Sequence, residues 1–137
     1  MGEITKGIYA VSLYAGLLGL IHIWLLAHVG MMRGRQKISI GDGGDKLMIR
    51  AMRGQSNFVE NVPLTLVYLT LMALLGTPVW VLHILGVILV FGRILHALHF
   101  CADDAPAWQR AGGFSASFLV LVISALGLIG HGLLNVF

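Results

Sequence analysis

Charge is scarce in this chain. Only 11% of its 137 residues are Asp, Glu, Lys or Arg, less than half of the ~25% usual in soluble domains. Hydrophobic residues make up 58% and the mean hydropathy is +0.89. A small domain leaves much of its surface exposed, so a water-soluble globule of this size could not hide so much apolar area. A soluble enzyme, a nucleic-acid binder and a disordered chain are all excluded. The net charge of +3 does not argue for nucleic acid, because the basic residues gather at one end of the predicted spans. The single cysteine, Cys101, precludes an intrachain disulfide and supplies no metal cluster.

What the chain does have is long runs without Lys, Arg, Asp or Glu: residues 7–32, 61–92 and 111–137. A membrane-spanning helix needs about 20 mostly apolar residues. The middle run is interrupted by Gly76, Thr77 and Pro78. A glycine together with a proline marks a turn, and the residue before proline disfavours helix. The sequence therefore predicts an all-α integral membrane protein of four transmembrane helices, 7–32, 46–75, 79–99 and 110–134, in a single domain over 1–137. Spanning β-strands would alternate polar and apolar residues, and these runs do not. The first run is too long for a cleaved signal peptide, and its basic cluster follows rather than precedes it.

All the Lys and Arg residues except Lys6 fall in or beside the connections 1–2 and 3–4. By the positive-inside rule these two loops are expected in the cytoplasm and both termini outside it. Tyr9, Tyr14, Trp80 and Trp108 are expected at the membrane interfaces. His22, His28 and His83 read as packing residues on apolar helices, with His28 near enough to the basic end to join a site. His99 and His131 are expected in water near helix ends, and Asp103 and Asp104 as solvated loop charges.

The second helix carries a polar stripe. Lys46, Arg50, Arg53, Asn57 and Glu60 recur every three or four residues, within about 80° of one another around a helix. An ionisable group at membrane depth is costly unless it meets protein, water or a partner. Counted from the tight turn, Glu60 and Arg93 both lie about 22 Å along their helices, which predicts an ion pair between them. Two readings of the stripe stand: polar glue between helices, or a site for an anion that balances several converging cations. For Arg50, Arg53 and Asn57 the ligand reading is favoured; Lys46 reads as a solvated charge at the membrane edge.

Arg53, Asn57, Glu60 and Pro63 form the pattern Arg-x-x-x-Asn-x-x-Glu-x-x-Pro, and Gly92, Arg93 and His96 form Gly-Arg-x-x-His at the end of the third helix. Together with the four-helix length and the short loop Gly41, Asp42, Gly43, Gly44, these patterns resemble the MAPEG family, the membrane-associated proteins in eicosanoid and glutathione metabolism. The second pattern is similar to the prostaglandin E synthase branch. The resemblance implies a homotrimer, with glutathione as cosubstrate in a cleft between subunits. It implies glutathione contacts for Arg53, Asn57 and Glu60, with Arg93 and His96 beside them. Arg33 or Arg35 would join from the neighbouring subunit, and Arg110 would assist thiolate formation.

Eicosanoid-forming relatives carry tyrosines one and two turns after the helix 3 arginine, where this chain has His96 and Phe100. Phe114 replaces a further tyrosine early in the fourth helix. These departures argue against a leukotriene-type synthase. The implied activity is transfer of glutathione to a small lipophilic electrophile at the membrane, extending to a peroxidase activity on lipid hydroperoxides, with no metal and no nucleic-acid partner. A non-catalytic lipid-binding or scaffold member of the same fold is the alternative, since fold alone does not fix function. A small multidrug-type transporter is a third reading, disfavoured because its carboxylate would need to be accessible and unpaired.

Overall fold

The structure is a computed structural model and describes residues 2–136. Met1 and Phe137, the ends of the expected domain, lie outside the described residues. Four helices follow one another: α1 Glu3–Gln36, α2 Lys46–Leu74, α3 Val79–Cys101 and α4 Ala107–Val136. Each is long and apolar enough to cross a membrane. At 1.5 Å per residue the 34 residues of α1 extend about 50 Å. That exceeds the ~30 Å hydrocarbon core, so α1 carries Arg33 and Arg35 beyond the apolar layer.

Each end of a helix has a local cause. Asp45 caps α2, its carboxylate accepting from the backbone N–H of Met48 at 2.8 Å, which satisfies one of the unpaired N–H groups of the first turn. At the far end Gly76 takes a left-handed φ of 79°. Its N–H reaches the carbonyl of Ala73, and the N–H of Thr77 reaches that of Met72. This paired closure is the Schellman arrangement, which glycine permits because it has no Cβ. Pro78 then leads into α3 with φ −52°. The loop between α1 and α2 turns on Gly41, Gly43 and Gly44, all at positive φ.

Helices α2 and α3 form the centre. Each touches the other three, whereas α1 and α4 flank them on opposite sides without meeting. Leu18, Leu25, Val62, Leu69, Leu82, Leu89 and Val120 fill the interior. Helix α4 buries only Gly113, Ser117, Val120 and Ser124. Small residues at this spacing let helices approach closely. The outer faces carry large apolar side chains such as Leu20, Trp80 and Phe91, the surface of a protein bounded by lipid rather than water.

The structure revises two minor readings. Tyr14 is buried, and its hydroxyl shares a hydrogen bond of 2.7 Å with Nδ1 of His83. His99 is buried too, its Nδ1–H donating to the carbonyl of Pro106 at 3.1 Å. Asp103 is a solvated loop charge as expected, more than half exposed, and meets Arg35 at the end of α1 at 3.3 Å. In both buried cases the polar group finds a partner elsewhere in the fold, which hydropathy along one helix does not reveal.

Candidate functional site

The stripe on α2 is continuous as a helical face, but its members have different partners. Arg50 is occupied: its Nε donates to the carbonyl of Ala102 at 2.8 Å and its Nη2 to that of His99. The guanidinium also lies 5.6 Å from the ring centroid of Phe100. Arg50 thus closes the C-terminal end of α3, where helix carbonyls lack partners and cations are favoured. It does not line the cleft described next.

One turn further along, Arg53, Asn57 and Glu60 open onto a cleft of about 390 Å³. Its other walls are His96 and Phe100 from α3, and Arg110, Ala111 and Phe114 from α4. The cleft lies at the end of the bundle that carries the two basic loops. Two close approaches shape it. A Cβ on Gly54 would stand 2.6 Å from that of Phe100, and one on Gly113 would stand 2.8 Å from that of His96. The glycines bring α2 and α4 close enough to α3 for their polar side chains to share one opening.

Behind the cleft lies Arg93, 1% exposed. Its Nη2 donates to Oδ1 of Asn57 at 3.0 Å and to Nδ1 of His96 at 3.2 Å, and its Nη1 donates to Oγ of Ser117 at 3.5 Å. The guanidinium sits 5.5 Å from the ring centroid of Phe58, a favourable place for a cation. Its Nε has no partner among the described residues.

The expected ion pair between Glu60 and Arg93 is therefore not formed. Glu60 is exposed, and among the described residues it has no ionic partner. Equal depth along two helices did not imply equal direction. Glu60 lies three residues after Asn57, about 60° further around α2, and that rotation carries its carboxylate out of the interface and into the cleft. Among the described residues Arg53 and Arg110 also have no ionic partner, and both are exposed.

The two helix 1 arginines sit apart from this cleft. Arg33 donates through Nη1 to the carbonyls of Ile38, Ser39 and Gly41, at 3.4, 3.5 and 2.9 Å. It thereby folds the α1–α2 loop back on the end of α1. Arg35 points outward and pairs with Asp103, both more than half exposed.

Sequence reasoning named Arg53, Asn57, Glu60, His96 and Arg110 as site residues, and all five line one cleft. It did not name Ala111, or Phe58 and Ser117 behind the cleft, as site residues. Gly113, Ser117, Ser124 and Gly127 share a face of α4 and read as small residues that permit close helix approach, which places Ser117 at a helix contact but not behind a site. Phe58 carries no such signal, since a phenylalanine on an apolar helix is ordinary.

Comparison with known proteins identifies the family. The sequence profile of the MAPEG family matches residues 11–130. The chain is 31% identical over 115 residues to a protein of Escherichia coli strain K12 called "Inner membrane protein YecN". That stretch covers 84% of this chain and 86% of the relative. The protein of the same name from Escherichia coli O6:H1 matches to the same extent. A profile spanning most of the chain, a relative above 30% identity along nearly its whole length, and four membrane-length helices lead to one conclusion: this chain belongs to the MAPEG family.

Proposed function

We propose that the protein is a membrane-bound glutathione transferase, acting as a homotrimer in which the cleft of Arg53, Asn57, Glu60, His96 and Arg110 receives glutathione. One observation carries the reading. Arg53, Glu60 and Arg110 converge on one cleft of an otherwise apolar bundle, and none has an ionic partner among the described residues. Ionisable groups at such depth persist where they meet water, a ligand or a neighbouring chain. Glutathione has two carboxylates, one ammonium and a thiol. Guanidinium forks match carboxylates in two-point geometry, and Glu60 suits the ammonium. The cleft volume of about 390 Å³ falls in the range of small-molecule sites.

Arg33 or Arg35 of a neighbouring subunit completes the cleft in this reading. Both have partners within their own chain: Arg33 holds the carbonyls of its loop and Arg35 pairs with Asp103. The two basic loops face the cytoplasm, and the inner membrane is the site of action. Lysine and arginine placement supports this orientation, and the name of the E. coli relative supports the inner membrane.

The chemistry needs positioning and charge. A free thiol has a pKa of about 8.5, and a nearby guanidinium lowers it by favouring the thiolate. Arg110, on the α4 wall, serves that role. With 1-chloro-2,4-dinitrobenzene as the lipophilic electrophile, the sulfur forms a bond to the ring carbon, chloride leaves with its electron pair, and the thiol proton passes to water. The aromatic wall of Phe100 and Phe114 places the electrophile beside the sulfur.

Thermal unfolding of the detergent-solubilised protein, with and without glutathione, tests the reading. Glutathione is expected to raise the unfolding temperature of the wild type but not of Arg53→Ala or Asn57→Ala. Conjugation of the chlorodinitrobenzene, followed by absorbance, distinguishes a transferase from a binding member of the fold. Native mass spectrometry in detergent reports the trimer. Absence of both stabilisation and conjugation in the wild type would falsify the proposal.

A further inference from the structure

Arg93 is buried and lines no part of the cleft, yet it stands directly behind two residues that do. A guanidinium has five N–H donors and no acceptor. The atom that Asn57 turns toward it at 3.0 Å is therefore the carboxamide oxygen. The ring nitrogen that His96 turns toward it at 3.2 Å is an unprotonated Nδ1. Each constraint is passed to the far end of the side chain. With its oxygen turned inward, Asn57 has its Nδ2 amino group free to donate. With Nδ1 accepting, the neutral imidazole of His96 carries its proton on Nε2.

Both side chains line the cleft. Neither Asn57 Nδ2 nor His96 Nε2 is among the fully buried polar atoms left without a partner, and neither donates to any described residue. Each therefore keeps a small accessible area on a side chain that lines the cleft, although His96 as a whole is 2% exposed. Ser117 extends the order on the inner side, its hydroxyl donating to the carbonyl of Gly113 at 3.0 Å while its oxygen faces Nη1 of Arg93.

We infer that Arg93 is a positioning residue that sets the hydrogen-bond polarity of the cleft: it turns the acceptors of Asn57 and His96 inward, so that their Nδ2–H and Nε2–H donors face an anionic ligand. Arg53 beside Asn57 on α2 and Arg110 on α4 add further donors, leaving the Glu60 carboxylate as the one charged acceptor among the described residues that line the cleft. A carboxylate or thiolate fits the donor side, and an ammonium fits only beside Glu60. The identity of the anion as glutathione rests on the function proposed above. The polarity does not, because it is set by contacts within the protein itself.

The test reads the polarity directly. Protein labelled with ¹⁵N-histidine in detergent micelles gives two-bond ¹H–¹⁵N correlations, with the His96 ring assigned through His96→Asn. The expected result is a neutral His96 ring protonated on Nε2 in the wild type. Arg93→Lys, whose ammonium is also donor-only, keeps that tautomer. Arg93→Gln can offer an acceptor instead, and is expected to give a mixed or Nδ1-protonated ring. Glutathione affinity should fall about tenfold in Arg93→Gln, the scale of one misdirected hydrogen bond to a charged group, and much less in Arg93→Lys.

A wild-type ring protonated on Nδ1, or on both nitrogens, overturns the inference. So does an Arg93→Gln protein with the wild-type tautomer and affinity. If Arg93→Gln fails to fold, the wild-type spectrum can still overturn the inference. If the tautomers behave as expected and no form binds glutathione, the polarity stands and the glutathione reading falls.

Discussion

Gly92 and Gly113 meet where α3 crosses α4: a Cβ added to Gly113 would stand 2.6 Å from the carbonyl oxygen of Gly92 and 2.7 Å from the backbone nitrogen of His96. The obstacles are backbone atoms, which cannot rotate aside. Gly113→Ala is expected to separate the two helices and destabilise the fold by about 1–3 kcal/mol, the usual cost of overpacking. Calorimetric or fluorescence-detected unfolding in detergent measures it. Gly127→Ala, whose Cβ would meet nothing nearer than 4.0 Å, should leave the unfolding temperature close to that of the wild type.

Arg50 and Arg53 are neighbours on one helical face and should separate cleanly by mutation. Arg50→Ala strips partners from the carbonyls of Ala102 and His99, and should cost about 1–3 kcal/mol of stability with little change in glutathione affinity. Arg53→Ala removes an exposed side chain that bonds to no described residue. Stability should stay within about 0.5 kcal/mol while ligand-induced stabilisation disappears. Paired unfolding curves with and without glutathione check both. A stable Arg50→Ala protein that has lost glutathione binding would instead place Arg50 at the ligand.

Glu60→Gln follows from the missing ion pair. No cation in the described structure depends on this carboxylate, so neutralising it should change stability by less than about 0.5 kcal/mol. Had Glu60 been the partner of a buried Arg93, the loss would reach about 3–5 kcal/mol, because an uncompensated charge would remain inside. Unfolding temperature tells the two apart. Isothermal titration with glutathione should meanwhile show weaker binding, from loss of the partner for its ammonium.

Tyr14→Phe removes only the hydroxyl that joins α1 to His83 on α3. A loss of about 0.5–1.5 kcal/mol is expected, the net worth of one ordinary hydrogen bond. The ring itself should stay in place, since it fills the space left by Gly86, where a Cβ would stand 2.2 Å from it. Glutathione affinity should be unaffected, because this contact lies outside the cleft lining. A large fall in affinity would mean that the two ends of the bundle are coupled.

Much of this protein is written locally in its chain. The four spans follow from charge-free runs that only lipid can accommodate. The turn at Gly76 and Pro78 follows from backbone sterics. The grouping of Arg53, Asn57 and Glu60 follows from helical periodicity, because residues three and four apart share a face whatever surrounds the helix. Their arrangement on α2 needed no neighbour to specify it.

Partner choice was a different matter. Arg50 and Arg53 look alike in sequence, yet α3 ends beside the first and not the second. Glu60 and Arg93 lie at matching depth, yet the rotation of α2 about its axis gives Arg93 to Asn57 and His96 instead. The sequence by itself determined which residues lie on one face and at what height. Only tertiary packing decided which donor meets which acceptor, because hydrogen bonds depend on ångström distances and on direction, and both are set by how helices cross rather than by how each is spaced.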